Sequence, residues 1–296
     1  MRYSKKSILI FILPAFIWYN VGFFYPAIQA LRVSLCEWSG FTANMRYIGL
    51  DNFKELTTDD IFWHSLQNNL FIVFVGGGIM ISLSLFFANA LSRNHSKIKS
   101  FLINTIFTPY VLAGVAVALL WNFIYNPQFG LLNGILRTLS LGYLSRPWLS
   151  QSTTAIPAIT IAAIWWWIGF YMVLFIAGMQ RIPPTLYEAA RIDGATGWQR
   201  FLHITLPLLR EALVICVVMW VIDSLKFFDL IYVMVRGCPP DSLQVIGTYL
   251  YVIALGQRAG VYRMGYGTAI GVVLFVLILT PSIIYLHFAR RKAFEY

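Results

Sequence analysis

The chain has 296 residues, of which 59% are hydrophobic, 17% aromatic and only 11% charged, with a formal net charge of +10 and a mean hydropathy of +0.70. Soluble domains carry about 25% charged residues, so the composition excludes an ordinary soluble enzyme and points to a chain whose solvent is largely lipid. The positive charge does not indicate nucleic acid, because the Lys and Arg residues sit in short clusters at the ends of apolar runs rather than in one stripe.

A membrane-crossing helix needs about 20 apolar residues. Six runs qualify: Ser7–Leu31, Leu70–Ser92, Phe101–Tyr125, Thr154–Gly178, Leu209–Val235 and Gly265–Phe288. The first reads as a retained span and not a cleaved signal peptide, since it is long, contains Asn20 and Pro26, and is followed by no small-x-small site. In the second, Gly76-Gly77-Gly78 permits close helix approach or local bending, with packing the weightier reading. Pro109, Pro157 and Pro281 lie near or within spans, where each bends a helix or marks its first turn. The fourth run carries Trp165-Trp166-Trp167 and Tyr171. Consecutive helical residues point about 100° apart, so at most two of the tryptophans share one face, and packing or lipid contact is the plainer role for each.

Between the fourth and fifth runs lies a polar interruption, Arg181 to Pro207. Pro183-Pro184 stops the fourth span, because neither can donate to a helix and each restrains the residue before it. Thr185 and Glu188 have capping-box spacing, so a short helix, Thr185–Asp193, is expected to restart there. Gly194 follows where a left-handed residue would end it. Thr196 and Gln199 repeat the spacing for a second short helix, with Trp198, Phe201, Leu202 and Thr205 on one face and Pro207 closing it. Two caps, a hinge glycine and an amphipathic face favour a rigid docking element over a solvated connector.

The fifth run carries Asp223, Lys226 and Asp229, each pair spaced i,i+3 so that the lysine could neutralise either acid. Lys and Arg number thirteen in the N-terminus, the 93–100 loop, the 179–210 segment and the tail, against seven in the loops 34–69, 126–153 and 236–264. The positive-inside rule therefore predicts that both termini and the interruption are cytoplasmic. The expected class is an all-α integral membrane protein of six transmembrane helices. Residues 1–66 form the first span and an external segment, 67–290 a core, and 291–296 a cytoplasmic tail, with no repeat or linker marking separately folding domains. Cys36, Cys216 and Cys238 form no C-x-x-C. Cys216 reads as inert core, and a Cys36–Cys238 pair is not expected.

The interruption also resembles a known signature. Glu188-Ala189-Ala190, then Asp193-Gly194-Ala195, then Phe201, Ile204 and Leu206-Pro207 resemble the EAA motif of binding-protein-dependent ABC importer permeases. Tyr47-Ile48-Gly49-Leu50-Asp51-Asn52-Phe53, Gly130-Leu131-Leu132-Asn133, Trp167 to Met172 with Ala177 to Gln180, and Phe228-Asp229-Leu230-Ile231-Tyr232-Val233 resemble segments of the carbohydrate-importer branch, in particular its maltose-permease-like first subunit. One departure stands out: where that branch has Thr-Gly-Gly-Gly-Pro, this chain reads Met234-Val235-Arg236-Gly237-Cys238-Pro239-Pro240, so a stiffer turn is expected.

The resemblance implies a type I ABC importer permease fold in the cytoplasmic membrane of a prokaryote. It implies as partners a second permease subunit, two ATPase subunits, an extracytoplasmic solute-binding protein, a sugar substrate and membrane lipid. Residues 184–206 would be the coupling segment, with Glu188, Ala189, Ala190, Asp193, Gly194, Ala195, Phe201 and Pro207 meeting an ATPase. Asp223, Lys226, Asp229, Trp166 and Tyr171 are candidates for the substrate pathway, since charged groups bond sugar hydroxyls and aromatic faces suit sugar rings. The plainer alternative for the charges is a structural ion pair. Independently, no lysine follows a glycine, so the phosphate-binding G-x-x-x-x-G-K-[ST] loop is missing and no ATP or other cofactor site is expected on this chain. His64, His95, His203 and His287 are scattered, Asp59-Asp60 reads as a solvent-facing pair, and no metal or catalytic constellation is expected. The alternatives are a permease of the same architecture for a glycerol phosphodiester or polyol, and an ion-coupled secondary transporter.

Overall fold

The computed structural model describes residues 5–92, 97–237, 239–257 and 260–292. Almost every described element is helical; the one sheet among the described residues pairs Cys36–Glu37 antiparallel with Arg46–Tyr47. By length and composition, four helices suffice to cross a membrane: Phe11–Val33, Asp60–Ser92, Ser152–Gln180 and Met264–Ile283. Two bent pairs, Ile98–Val111 with Gly114–Ile124 and Gly197–Leu208 with Arg210–Leu225, bring the number to six if each pair is one span.

The chain folds into two compact units. The first comprises Met1–Phe62 and Tyr249–Val276, the second Trp63–Thr248 and Leu277–Tyr296. In the first unit, the apolar rod of Lys5–Tyr19 and Tyr25–Val33 is continuous through a widened turn, Asn20–Phe24. Tyr25 N–H donates to the carbonyl of Asn20, one residue beyond the α-helical partner. Pro26 explains the widening: its ring would clash with the carbonyl four residues back, and one extra residue per turn removes the clash.

Beyond the rod, the Gly49 to Phe53 segment acquires physical roles. Gly49 adopts φ +63°, a conformation costly to a residue with a Cβ. Asn52, 4% exposed, donates through Nδ2 to the carbonyls of Ser34 (2.8 Å) and Cys36 (3.0 Å). Asp59 is not the solvent-facing acid its sequence neighbourhood suggested. Its Oδ1 accepts the N–H groups of Ile61 (3.0 Å) and Phe62 (3.2 Å), capping the helix Asp60–Phe71. Its Oδ2 accepts the phenol of Tyr249 at 2.5 Å and that of Tyr266. Burial, and then the bond to Asp59, raises the Tyr249 pKa above its ordinary value and keeps it a donor. Beside it, Arg263 forms a two-pronged pair with Glu55, at 2.8 and 2.6 Å, which holds the guanidinium pKa above its usual value.

In the second unit the fourth span, Ser152–Gln180, is the hub. Ala155, Ile159, Ala162, Tyr171, Met172 and Phe175 are almost wholly enclosed. Gly169 is where the helix Lys97–Val111 crosses, since a Cβ there would collide with the backbone of Ile106 and Phe107. Three spans differ from the sequence reading. The third is bent by 101° at Leu112-Ala113, shortly after Pro109. The fifth, expected as one helix over Leu209–Val235, ends at Leu225, passes Lys226-Phe227-Phe228 without helix, and resumes as Asp229–Met234. The second begins ten residues early, because the Asp59 cap starts the helix at Asp60.

Breaks at membrane depth free backbone groups that lipid cannot satisfy. Trp166 Nε1–H donates to the Leu112 carbonyl at the third-span bend (3.2 Å). Asn69, wholly buried, donates to the Ser224 carbonyl at the fifth-span break (2.7 Å) and accepts from Ile246 N–H (2.9 Å). The second span has its own widened turn, Ile72–Gly76, where Trp220 Nε1–H donates to the Val73 carbonyl (3.1 Å). Gly76 and Gly77 permit this approach: a Cβ on Gly77 would stand 2.5 Å from Trp220 Nε1, while Gly78 meets nothing within 4 Å. Cys216 is enclosed core, and Cys36, in the first strand of the hairpin, is buried; Cys238 lies outside the described residues.

Removing the Trp220 donor by Trp220→Phe is expected to cost about 0.6 kcal/mol and no more than about 1.7, the range for hydrogen bonds between membrane helices. Gly77→Leu, which drives a branched side chain into the indole, is expected to lower thermal stability in detergent far more. A Gly77→Leu protein that unfolds at the wild-type temperature would show that the two spans do not meet at this residue.

Candidate functional site

The 181–209 segment is built from the residues that punctuate it. The short helix runs Pro184–Ile192, one residue earlier than predicted, with Pro183 as its N-cap and no side-chain cap. The expected Thr185–Glu188 capping box therefore does not form: Thr185 falls at the second helical position, and Pro184 occupies the first, where the missing N–H has no helical partner in any case. The helix ends as predicted. Gly194 has φ +76°, its own N–H reaches the carbonyl of Arg191 (3.1 Å), and Ala195 N–H reaches that of Ala190 (2.9 Å). This pair of bonds is the Schellman closure. No residue of the helix is buried, and Ile192 at its tip is 87% exposed.

The second cap forms in full. Thr196 N–H donates to Gln199 Oε1 (2.7 Å), and Gln199 N–H donates to Thr196 Oγ1 (3.3 Å). The helix Gly197–Arg200 then widens over Phe201–Thr205, where Leu206 N–H reaches back to the Phe201 carbonyl. The cause is the one seen at Pro26: a proline, here Pro207, follows immediately. Pro207 does not close the helix, contrary to expectation. The widened turn absorbs its ring, and the chain turns by 69° only at Leu209. The amphipathic face divides accordingly. Thr205 is buried and shares a hydrogen bond of 2.9 Å with the Tyr187 hydroxyl, while Trp198 stacks on Phe201 at 5.5 Å and stays largely exposed. Gly178 sets the elbow, because a Cβ there would lie 2.7 Å from the Leu209 side chain and 3.2 Å from Ala212.

A cavity of about 410 Å³ opens beside this segment, lined among others by Asn89, Gln180, Glu188, Arg191, Arg200 and Thr205. None of Glu188, Arg191 and Arg200 enters a salt bridge among the described residues, where the pairs are Glu37–Arg46, Asp51–Lys54 and Glu55–Arg263. Asn89 Oδ1 is buried without a hydrogen-bond partner. Asn89, Arg191 and Arg200 carried no sequence signal, since only the tertiary fold brings the end of the second span beneath the short helices.

The charges of the fifth span do not keep the i,i+3 helical spacing that would let the lysine neutralise either acid. The helix ends at Leu225 with Lys226 as its cap, and Asp229 opens the next helix, so the three residues no longer share one regular helix and form no salt bridge among the described residues. Lys226 and Asp229 are exposed and Asp223 is half-buried. The aromatic candidates pack among themselves. Tyr171 is fully enclosed, against Phe170 (5.2 Å), Trp167 and Trp220 (both 6.2 Å). Trp166 is committed to the third-span bend.

The departure from the glycine-rich turn has a geometric consequence. The helix Asp229–Met234 ends in another Schellman closure, Gly237 N–H to Tyr232 O (2.9 Å) and Arg236 N–H to Val233 O (3.2 Å). The left-handed position is held by Arg236 at φ +61°, where glycine would be unstrained.

Residues 7–294 match the family described as the binding-protein-dependent transport system inner membrane component. The chain belongs to this family. The permease is 33% identical over 287 residues to the probable ABC transporter permease protein YurN of Bacillus subtilis, covering 95% of each chain. It is also 33% identical over 294 residues to the trehalose/maltose transport system permease protein MalF of Thermococcus litoralis, covering 99% of this chain and 97% of the relative. Its fold matches that of a bacterial alginate ABC transporter solved in complex with an alginate pentasaccharide-bound periplasmic protein, with a TM-score of 0.83 at 25% identity over 96% of this chain and 94% of that one. The permease therefore has the type I ABC importer fold and is an integral membrane transport subunit rather than an enzyme, with ATP hydrolysis residing on a separate subunit.

Two backbone predictions follow from the left-handed positions. Arg236→Gly is expected to raise stability by about 1 kcal/mol by relieving strain. Gly194→Val is expected to fray the short helix, read as faster amide hydrogen exchange at Ala195. Unchanged exchange there would mean that the closure does not depend on glycine.

Proposed function

We propose that this permease forms half of the translocation pathway of an ATP-driven importer of sugars or oligosaccharides. It would pair with a second permease, two cytoplasmic ATPases and an extracytoplasmic solute-binding protein. The observation that carries the reading is the exposed helix Pro184–Ile192, which bears Glu188-Ala189-Ala190, is closed at its end by Asp193-Gly194-Ala195, and has no buried residue. A rigid helix with an uncovered face and apolar tip is suited to seating in a groove of another protein. The carbohydrate class is supported by the relatives, whose names include trehalose/maltose and arabinooligosaccharide systems, and by the alginate oligosaccharide in the related complex.

In this reading the 184–206 segment couples to an ATPase, with Ala189, Ala190 and Ala195 keeping it slim and Phe201 and Pro207 shaping its return to the fifth span. Both termini lie on the same cytoplasmic side, and residues 67–290 form the permease core after the 1–66 segment. Movement of the ATPases would reach the fourth and fifth spans through Gly178 and Leu209. Lys226 and Asp229, both exposed, and Asp223, half-buried, are available to bond hydroxyl groups along the pathway. Trp166 and Tyr171 would act by holding the aromatic wall behind them.

The test uses the complete transporter in proteoliposomes. Gly194→Pro and Glu188→Lys are expected to insert normally yet abolish both solute uptake and receptor-stimulated ATP hydrolysis. Wild-type transport by both variants would overturn the coupling role.

A further inference from the structure

The two short helices of the 181–209 segment meet at a pair of hydroxyl groups. Tyr187 belongs to the exposed helix Pro184–Ile192, and its half-buried ring packs against the core. Thr205 lies 18 positions further on, at the end of the widened turn Phe201–Thr205, and is 1% exposed. The two hydroxyl oxygens are 2.9 Å apart.

A count of protons gives this bond its direction. Thr205 Oγ1 donates to the Arg200 carbonyl at 3.4 Å. A threonine hydroxyl has one proton, so the proton between the two hydroxyls comes from Tyr187. The backbone of Thr205 makes a second connection. Its carbonyl accepts from Leu209 N–H at 2.9 Å, and the Leu209 carbonyl accepts from Leu213 N–H, inside the fifth span, at 2.8 Å. Leu209 is itself buried and packed at Gly178. Thr205 therefore holds the exposed helix with its side chain and the elbow of the fifth span with its backbone.

The covalent path between the two helices is less direct. It runs from Ile192 through Asp193, the left-handed Gly194, Ala195 and Thr196 to Gly197, a turn about which two short helices could swing. At the other end of the exposed helix, Pro183 supplies no side-chain cap. We propose that the Tyr187–Thr205 bond is a clasp that locks the exposed helix to the return helix. A displacement of the first then reaches Leu209 and the fifth span as a rigid movement and is not absorbed at Gly194. The clasp rests on the coupling role proposed above for this segment. Within it, Tyr187 and Thr205 are positioning residues, acting through Leu209 with no contact to nucleotide or solute. Because Thr205 is shut off from water, opening the clasp leaves its hydroxyl with the longer Arg200 bond alone, which favours the closed state.

The test measures solute uptake and ATP hydrolysis side by side in proteoliposomes of the complete transporter. Tyr187→Phe removes one hydroxyl and keeps the ring, Thr205→Val removes the other at similar size, and Thr205→Ser retains it. Tyr187→Phe and Thr205→Val are each expected to lower the solute taken up per ATP hydrolysed by about threefold, within the range by which one net hydrogen bond shifts a two-state equilibrium. The double variant should be no worse than the worse single one, since both open the same bond. Thr205→Ser should keep the wild-type ratio. The clasp is overturned if uptake and hydrolysis fall together at an unchanged ratio, if the two single effects multiply in the double variant, or if Thr205→Ser behaves as Thr205→Val. An unchanged ratio in Tyr187→Phe beside lost transport in Glu188→Lys would sink the clasp and leave the coupling role standing. Normal transport by both Glu188→Lys and Gly194→Pro would remove the coupling role, and the clasp with it.

Discussion

A backbone inside a bilayer has no water to fall back on, and the second unit is organised by that constraint. Its spans are not plain helices: the second widens, the third bends and the fifth breaks. Each irregularity meets a side-chain donor from elsewhere in the fold, namely Trp220 to Val73, Trp166 to Leu112 and Asn69 to Ser224. Each of these donors adds a partner to a carbonyl that the irregular path leaves short of its regular helical bond, at a depth where water cannot supply one. The glycines are subordinate to them. Gly77 matters because an indole must reach a carbonyl past it, and Gly114 because the Trp166 ring lies where its Cβ would be.

The same physics recurs at the surface in a different form. Pro26 and Pro207 each follow a turn in which the preceding residue bonds five residues back. A proline that would break a tight α-helix is thereby accommodated without a kink at the ring. At Pro207 this delays the turn to Leu209, a residue packed at Gly178. The direction change between the exposed segment and the fifth span is thus made at a buried contact and not at an exposed proline, and a force applied to the short helices meets a packed joint rather than a loose hinge.

How much of this was legible depended on range. Closures set by neighbours were readable: Gly194 in its left-handed turn and Thr196 with Gln199 are decided within six residues. The Thr185–Glu188 box failed because Pro184 competes locally for the same helix start, and the competition was settled by its fixed φ. Six spans could be counted from apolar length, but the bend at Leu112 and the break at Lys226 could not. Periodicity sees hydrophobicity, and the donors that make those breaks tolerable come from residues 54 and 155 positions away. Asp59 was misread for the same reason: its phenolic partners are 190 and 207 residues distant, so an acid next to another acid looked solvent-facing.

The break in the fifth span also decides how its charges should be understood. On a continuous helix, Asp223, Lys226 and Asp229 would neutralise one another and gain little by facing water. Ending the helix at Leu225 leaves Lys226 and Asp229 exposed, a costly arrangement in lipid that calls for water or polar partners at these side chains. The Asn69 bond lies at the break that sets Lys226 and Asp229 outside the helix Arg210–Leu225. The buried asparagine that bonds the carbonyl of Ser224 thus belongs to the same local structure that leaves the Lys226 and Asp229 side chains exposed.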